Sequence, residues 1–381
     1  MNLAWIDIRY HFVRFVLATT GVGLLFSATI GMIGLYRGVV FEALMIIREI
    51  GADIWVVQGD RAGPFAEESE ISGTLERRLE GVRGIAWSKK FIQFNQQFPI
   101  GDRRVRIAVT GLDYPDDNGS WVPLVAGRHL YSGHYEAIAD RSLGFPLGSQ
   151  VRIRRDDYTI VGLTAGQVDM AGDGIMFVTI GDARAMKSQS PSEAVLLRRA
   201  REARSNTATD DRNNVSAVIA KLQFGTDPEE VKQQISSWGD VAVYTRTAEE
   251  EILLYSRMWR LLLQILAFVV MTFMVTVIVV GLSIYTMTLE KSREIALLKL
   301  IGARDSFIIG MILQQAVFIG AVSFGIGLLI AHLVFPHFPR TVLILRDDVI
   351  VQFIVALLLC AASSWFGIRK ALGIRAQDVL S

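Results

Sequence analysis

Cysteine occurs once, at Cys360 inside an apolar run, so no intrachain disulfide can form and there is no CxxC metal site. No stretch reads GxxxxGK[ST], so the chain lacks the loop that cradles ATP phosphates. A GxSxG elbow and an HExxH helix are missing too, and with them the commonest hydrolase and zinc-protease signatures. Net charge is only +1 over 381 residues, which argues against a nucleic-acid surface. Charge is absent altogether from four long stretches, Phe15–Tyr36, Leu261–Leu289, Phe307–Phe335 and Val349–Ile368. Each reaches about the 20 residues that carry a helix across a bilayer. Their main polar members are Gln264, Gln314, Gln315 and Gln352. A route for ions or small polar solutes usually needs ionisable groups at that depth. The pattern suits a machine that handles amphiphiles at a membrane surface, or one that transmits motion.

What is present divides the chain clearly. Residues 1–14 mix Trp5, Ile6, Ile8 and Phe12 with Asp7, Arg9, His11 and Arg14, as in a short helix lying at the interface. The first span covers 15–37. It is too long for a signal core and no small-x-small cleavage site follows, so it reads as a retained anchor. Ser27, Gly31, Gly34 and Gly38 in and after this span, like Gly320, Ser323 and Gly327 later, are small residues at close spacing that let another helix approach.

From 38 to 246 Gly, Pro and charge recur and no window can span, so this is one large soluble insertion. Its ends read as two strand–helix–strand units. The first is Asp53–Gln58, Leu75–Gly81 and Ile85–Phe94. The second is Val215–Phe224, a helix opened by Asp227 and Pro228, and Val241–Thr245. Together they predict a split ferredoxin-like domain. Between them lie further strands at Val105–Leu112, Gln150–Arg154, Tyr158–Leu163 and Ile175–Ile180. Arg198–Asn214 has no apolar periodicity and reads as a solvated loop. Residues 247–260 predict a helix leading straight into the second span at 261–289. Glu249, Glu250 and Glu251 enrich its first turn, as the helix dipole favours. A third span at 307–335, a short loop at 336–348, a fourth span at 349–368 and a tail at 369–381 complete the layout. His332 and His337 are separated by Pro336 and have no acidic or thiol partner nearby, so they read as interfacial histidines rather than ligands.

Between the second and third spans lies EKSREIALLKLIGAR, residues 290–304. Ile295, Leu298 and Ile301/Gly302 fall on one helical stripe with Leu297 and Leu300 beside it, while Glu290, Arg293, Glu294 and Lys299 take the other side. Gly302 is a natural helix stop. On periodicity alone this could be an ordinary solvated loop.

The phrase Arg-Glu-Ile-x-Leu-Leu-Lys-x-x-Gly-Ala at Arg293–Ala303 resembles the coupling-helix signature of ABC transporter permeases of the MacB/FtsX type, also called type VII. LVAGRHL at Leu124–Leu130 and DYTIVGL at Asp157–Leu163 resemble the extracytoplasmic domain of the same permeases. The tail KALGIRAQDVLS resembles the family's ending, except that Ala376 stands where proline is usual. With four spans and no fused ATPase, the layout is closest to the DevC-like branch.

The resemblance implies an α+β membrane protein, with a porter-type extracytoplasmic domain between helices 1 and 2. It implies no catalysis in this chain, and ATP with magnesium on a separate ABC ATP-binding subunit. Contact with that subunit falls to Glu290, Arg293, Glu294, Leu297, Lys299, Gly302 and Ala303. A stalk containing Glu249, Glu250, Tyr255 and Arg257 would carry the motion outward. Expected partners are a second permease copy, a periplasmic adaptor, an outer-membrane channel and a lipid or other hydrophobic substrate. The location implied is the bacterial inner membrane with both termini cytoplasmic, which the modest Lys/Arg bias also favours. An FtsX-like signalling role over a cell-wall hydrolase and lipoprotein release are the alternatives.

Overall fold

The computed structural model describes residues 12–101, 103–188, 213–338 and 340–372. The expected interfacial helix at 1–14 and the loop at 198–214 fall almost wholly outside them, as does the tail at 369–381 beyond residue 372. The chain forms two compact units, residues 40–259 and residues 1–39 with 260–381.

In chain order the elements are α1 (Phe12–Ile50), β1 (Ile54–Gln58), β2 (Ile71–Ser72), α2 (Leu75–Glu80), β3 (Ile85–Ile100) and β4 (Arg103–Leu112). Then come β5 (Ala126–Gly127), β6 (Glu136–Asp140), β7 (Gln150–Ile153), β8 (Asp156–Thr164), β9 (Ile175–Thr179) and α3 (Ile180–Ser188). They are followed by β10 (Asn214–Val215), β11 (Ala217–Leu222), α4 (Pro228–Ser236), β12 (Val241–Thr245) and α5 (Arg246–Ile252). The membrane-type helices are α6 (Trp259–Glu290), α8 (Asp305–Val334) and α9 (Arg346–Leu372), with the short α7 (Ser292–Leu300) between α6 and α8.

The inserted domain is built on one sheet, ordered β12-β1-β11-β3-β4-β9-β6-β8-β5 with β7 on β8. Its first four strands are antiparallel throughout. Their order is that of a split β-α-β pair, the ferredoxin-like arrangement expected from the two chain ends. Asp227 caps α4 by accepting from the Glu229 N–H at 3.0 Å, and Pro228 follows at the first helical position. The sequence under-read β3. Residues 85–91 pair with β11 and residues 92–100 pair with β4, so one strand serves both halves of the sheet.

Each sheet face has its own cover. Leu79 of α2, Met186 of α3 and Val231 and Ile235 of α4 pack on one face. The other is covered by Ala43–Ile47 and Ile50 of α1 together with Leu253. This explains why α1 runs past residue 37, where the first span was expected to end. Ala43–Ile47 is too apolar to be exposed, and the sheet buries it. Trp55, wholly buried, meets Phe65 and Phe91 on this face at ring separations of 5.3 and 5.4 Å. The helix stops at Gly51, which takes φ +70. Its end is tied on several sides. Arg48 forks onto Glu250, and the Gln167 amide donates to Glu49 at 2.9 and 3.1 Å. Arg246 donates to the Gly51 and Ala52 carbonyls and to Asp53.

Glu249 departs from the dipole role expected of it. It is fully buried, its carboxylate lies against Gly63 (φ +83), and neither oxygen has a hydrogen-bond partner among the described residues. Burial pushes its carboxyl up from 4.5 to about 8. An acid whose folded pKa is raised leaves stability intact below its unfolded pKa and erodes it as pH climbs to the folded one. The window here runs from about pH 4.5 to about pH 8, at about 1.4 kcal/mol per unit. Thermal unfolding of the purified chain should therefore separate wild type from Glu249→Gln. The variant should melt with wild type at pH 5 and above it at pH 9. Parallel melting curves at both values would contradict the buried neutral acid.

In the membrane unit, α8 packs against α1 where Gly23 and Ser27 face Ser323 and Gly327. A Cβ on Gly327 would lie 2.6 Å from the Gly23 carbonyl oxygen. Gly320 meets Cys360 of α9, and Gly367 of α9 meets Ile284 of α6. Gly31, Gly34 and Gly38 were expected to admit a helix, but they admit the α8–α9 connection instead. Phe335 sits on Gly31, the Leu343 N–H donates to the Gly34 carbonyl at 3.0 Å, and Thr341 lies against Gly38. Arg37 adds a two-pronged bond to Asp348, both at 2.9 Å. The four spans and the inserted mixed domain make this an α+β multi-pass membrane protein.

Candidate functional site

The uncharged run of α6 ends at Glu290, and a one-residue turn at Lys291 starts α7. The end of α7 explains two residues of its signature. Ile301 is the last helical cap, and Gly302 follows at φ +92, a conformation open mainly to glycine. The Gly302 N–H donates to the Lys299 carbonyl at 3.1 Å, and the Ala303 N–H donates to Leu298 at 3.0 Å. These two bonds form a Schellman motif, which turns the chain directly into α8.

The faces of α7 differ from the simple stripe. Ile295 and Ala296 are buried and Leu298 partly so. Ile301 was expected to continue that stripe, but it is 84% exposed because the helix has ended and the chain is reversing there. Leu297 and Leu300 are also exposed, beside Arg293 and Glu294. The open face is thus a small apolar centre with charges along one side, the usual make-up of a docking patch. Glu290 is exposed at its start, and the Arg304–Phe307 segment borders a shallow hollow at its end.

Lys299 turns inward. Its ammonium donates to the carbonyls of Ala371 and Leu372 at 3.1 and 3.0 Å, the last described turn of α9. A cation there makes charge-assisted hydrogen bonds to the backbone of α9. So α7 is stapled to the fourth span as well as joined to the second and third. Lys299→Met should remove about 1–2 kcal/mol from that end after allowance for solvent. Amide exchange in the last turn of α9 should then speed up several-fold, with Lys299→Arg largely restoring protection. Unchanged exchange in Lys299→Met would show that the staple is idle.

The structure places the expected stalk residues in different surroundings. Glu249 is buried and unpartnered among the described residues, Glu250 pairs with Arg48, and Tyr255 is 71% exposed. The side chain of Arg257 lies outside the described set. The helical path there is continuous, but Leu253–Met258 forms a π-helical turn between α5 and α6, a feature often found at functional sites. Sequence reasoning missed Gly23, Gly367 and the inward turn of Lys299. Gly23 was legible, since it stands one turn before Ser27. Gly367 depends on α6 and Lys299 on α9, and periodicity within their own segments does not report either contact.

Residues 15–238 match the family model for the MacB-like periplasmic core domain, and residues 266–376 match that for the FtsX-like permease C-terminal region. An uncharacterized ABC transporter permease of Mycobacterium tuberculosis is 20% identical over 370 residues, covering 97% of this chain and 95% of its own. A putative hemin transport system permease protein HrtB of Staphylococcus epidermidis is 23% identical over 339 residues, covering 88% and 84%. Among solved structures, the periplasmic region of MacB from Actinobacillus actinomycetemcomitans aligns at 13% identity with a TM-score of 0.35. That alignment covers 55% of this chain and 96% of that one. The two family models between them take in both the inserted domain and the helices that flank α7, and the chain belongs to the ABC transporter permeases of the MacB/FtsX type.

Proposed function

We propose that this permease couples ATP hydrolysis by a separate ATP-binding subunit to movement of its inserted domain, so exporting or extracting a lipid or other amphiphile. The supporting observation is the open face of α7. Arg293, Glu294, Leu297, Leu300 and Ile301 form a compact mixed patch on a helix fixed to three spans. A displacement delivered there reaches α6, α8 and α9 together, and α6 continues through the π-helical turn to α5. In the inserted domain, the end of α1 is clasped to α5 through Arg48–Glu250 and to the strand-rich half through Glu49–Gln167. These are contacts through which a push on either helix would reorient the domain.

The chain works as a homodimer in a bacterial inner membrane, with both termini and α7 cytoplasmic and the inserted domain periplasmic. An adaptor and an outer-membrane channel would complete the path. Charge-free spans fit a substrate that need not cross as an ion. The hemin named for the Staphylococcus relative falls within the same amphiphile class. Purification of the tagged chain from its native membranes tests the reading, with an ATP-binding subunit expected in the same particle. Recovery of the permease with no such subunit, under conditions that preserve a dimer, would overturn it.

A further inference from the structure

Glu249 of α5 is fully buried, and neither carboxylate oxygen has a hydrogen-bond partner among the described residues. What closes over it is the connection from β1 to β2, residues 59–68. Gly63, buried within that connection, takes φ +83, and a Cβ there would collide with both carboxylate oxygens.

The connection is built as a flap. Its two ends meet at Gln58, whose N–H donates to Ser69 Oγ at 2.9 Å and whose Oε1 accepts from the Glu70 N–H at 3.3 Å. Within it, the Glu67 N–H donates to the Gly63 carbonyl and the Ala62 N–H to the Glu67 carboxylate, both at 3.3 Å. Phe65 fastens the flap to the sheet, with its ring 5.3 Å from Trp55 and 5.7 Å from Phe91. The Tyr244 hydroxyl adds a bond to the Arg61 carbonyl at 2.9 Å. The helix beneath is held harder. Thr245 caps α5, Arg246 donates to Gly51, Ala52 and Asp53, and Glu250 takes the Arg48 fork.

We propose that residues 59–68 are a proton-controlled latch, which seals Glu249 while it carries its proton and lifts to admit water when it is ionised. A buried carboxylate without a partner is far costlier than a buried carboxylic acid, because only the charged form gives up strong hydration. The cations on the surrounding elements are committed elsewhere. Arg61 lies 3.8 Å from Glu67, Arg48 holds Glu250, and Lys221 and Arg246 share Asp53. The other titratable groups there are Glu42 and Glu49 of α1, Asp60 and Glu68 of the flap, Glu251 of α5 and Tyr244 of β12. All are acids, so none offsets a charge on Glu249. Lifting the flap is then the cheapest route to water, since the sheet and α5 are the more firmly tied. Burial holds the Glu249 carboxyl up at about 8, from 4.5. Once the flap is open the group regains its ordinary acidity. Opening is therefore favoured by up to about tenfold for each pH unit climbed between those two values, and gains nothing more above the upper one. The latch uses only groups inside the inserted domain, so it stands independently of the proposed coupling role.

The experiment is amide hydrogen exchange of the full-length chain in detergent at pH 5, 6, 7, 8 and 9, with rates corrected for the intrinsic effect of pH. In wild type, protection of residues 59–68 should fall by about a hundredfold from pH 5 to pH 8 and then level off. Peptides from β4 and β9 should keep their protection throughout, which also verifies that each variant is folded. Glu249→Gln has nearly the same shape and cannot ionise, so its flap should stay protected at every pH. Gly63→Ala places a methyl group where the carboxylate lies, so its flap should exchange freely already at pH 5. Flap protection in wild type that does not change with pH overturns the proposal, as does a pH-dependent loss that persists in Glu249→Gln. A Gly63→Ala flap as protected as that of wild type overturns it too. So does a loss shared equally by β4 and β9, since the whole domain rather than the flap would then be opening.

Discussion

The Gly327→Leu variant is expected to accumulate as a small fraction of wild type and to lose its monodisperse peak in detergent at temperatures wild type survives. Lipid tails are as apolar as the helices they surround, so spans are held together by close packing rather than by escape from water. At the α1–α8 crossing the packing is backbone on backbone. A Cβ on Gly327 would lie 2.6 Å from the Gly23 carbonyl oxygen and 3.1 Å from the Ser27 nitrogen. Seen from the other helix, a Cβ on Gly23 would lie 2.9 Å from the Ser323 carbonyl oxygen. Nothing at these points is a flexible side-chain tip that could swing away. The helices must separate, and Val22, Phe26 and Ile30 then lose their contacts with Phe324 and Ala331. Overpacking of this kind costs about 1–3 kcal/mol in a protein core, and the upper end applies where backbone is the obstacle. Gly325 stands two residues away on the same helix, and among the described residues nothing lies within 4 Å of where its Cβ would be. Gly325→Leu is therefore the matched control and should behave as wild type. Equal stability of the two variants would mean that the crossing does not hold the bundle.

The readable parts of the chain were those whose physics is local. Four uncharged runs mark the spans because charge is costly in hydrocarbon. Asp227 with Pro228 marks the start of α4 because both satisfy the first turn by themselves. Gly302 marks the end of α7 because few other residues take φ +92. The less readable parts depend on a partner distant in sequence. Nothing near residue 299 tells whether its ammonium faces water or the carbonyls of residues 371 and 372. Gly31, Gly34 and Gly38 show the spacing of a helix–helix contact, yet a loop some 300 residues away in sequence uses the same absence of side chains, as the Leu343–Gly34 bond shows. Asn95, Gln96 and Gln97 look too polar to continue a strand, and they do so because β4 pairs with them through Ala108, Ile107 and Arg106. Glu249 reads as a helix-start acid until the loop carrying Gly63 is laid over it.

A second large effect is expected at the open face of α7. Arg293 and Glu294 are both exposed, so reversing either charge should leave insertion and folding nearly unchanged, within about 0.5 kcal/mol. In an interface the same change removes an attraction and adds a repulsion, which costs several kcal/mol. A contact of micromolar strength is worth only about 8 kcal/mol, so a loss of that size empties it. The neighbouring Leu297, Leu300 and Ile301 supply the apolar part of such a contact and are untouched by the substitutions.

The most direct measurement of the coupling role is therefore co-purification of the ATP-binding subunit with Arg293→Glu and with Glu294→Arg, alongside ATP turnover of whatever complex is recovered. The expected result is a folded permease that has lost the subunit, or that retains it with turnover no longer responsive to the permease. If both variants keep the subunit and full turnover, α7 is only a connection between two spans, and the coupling account is wrong.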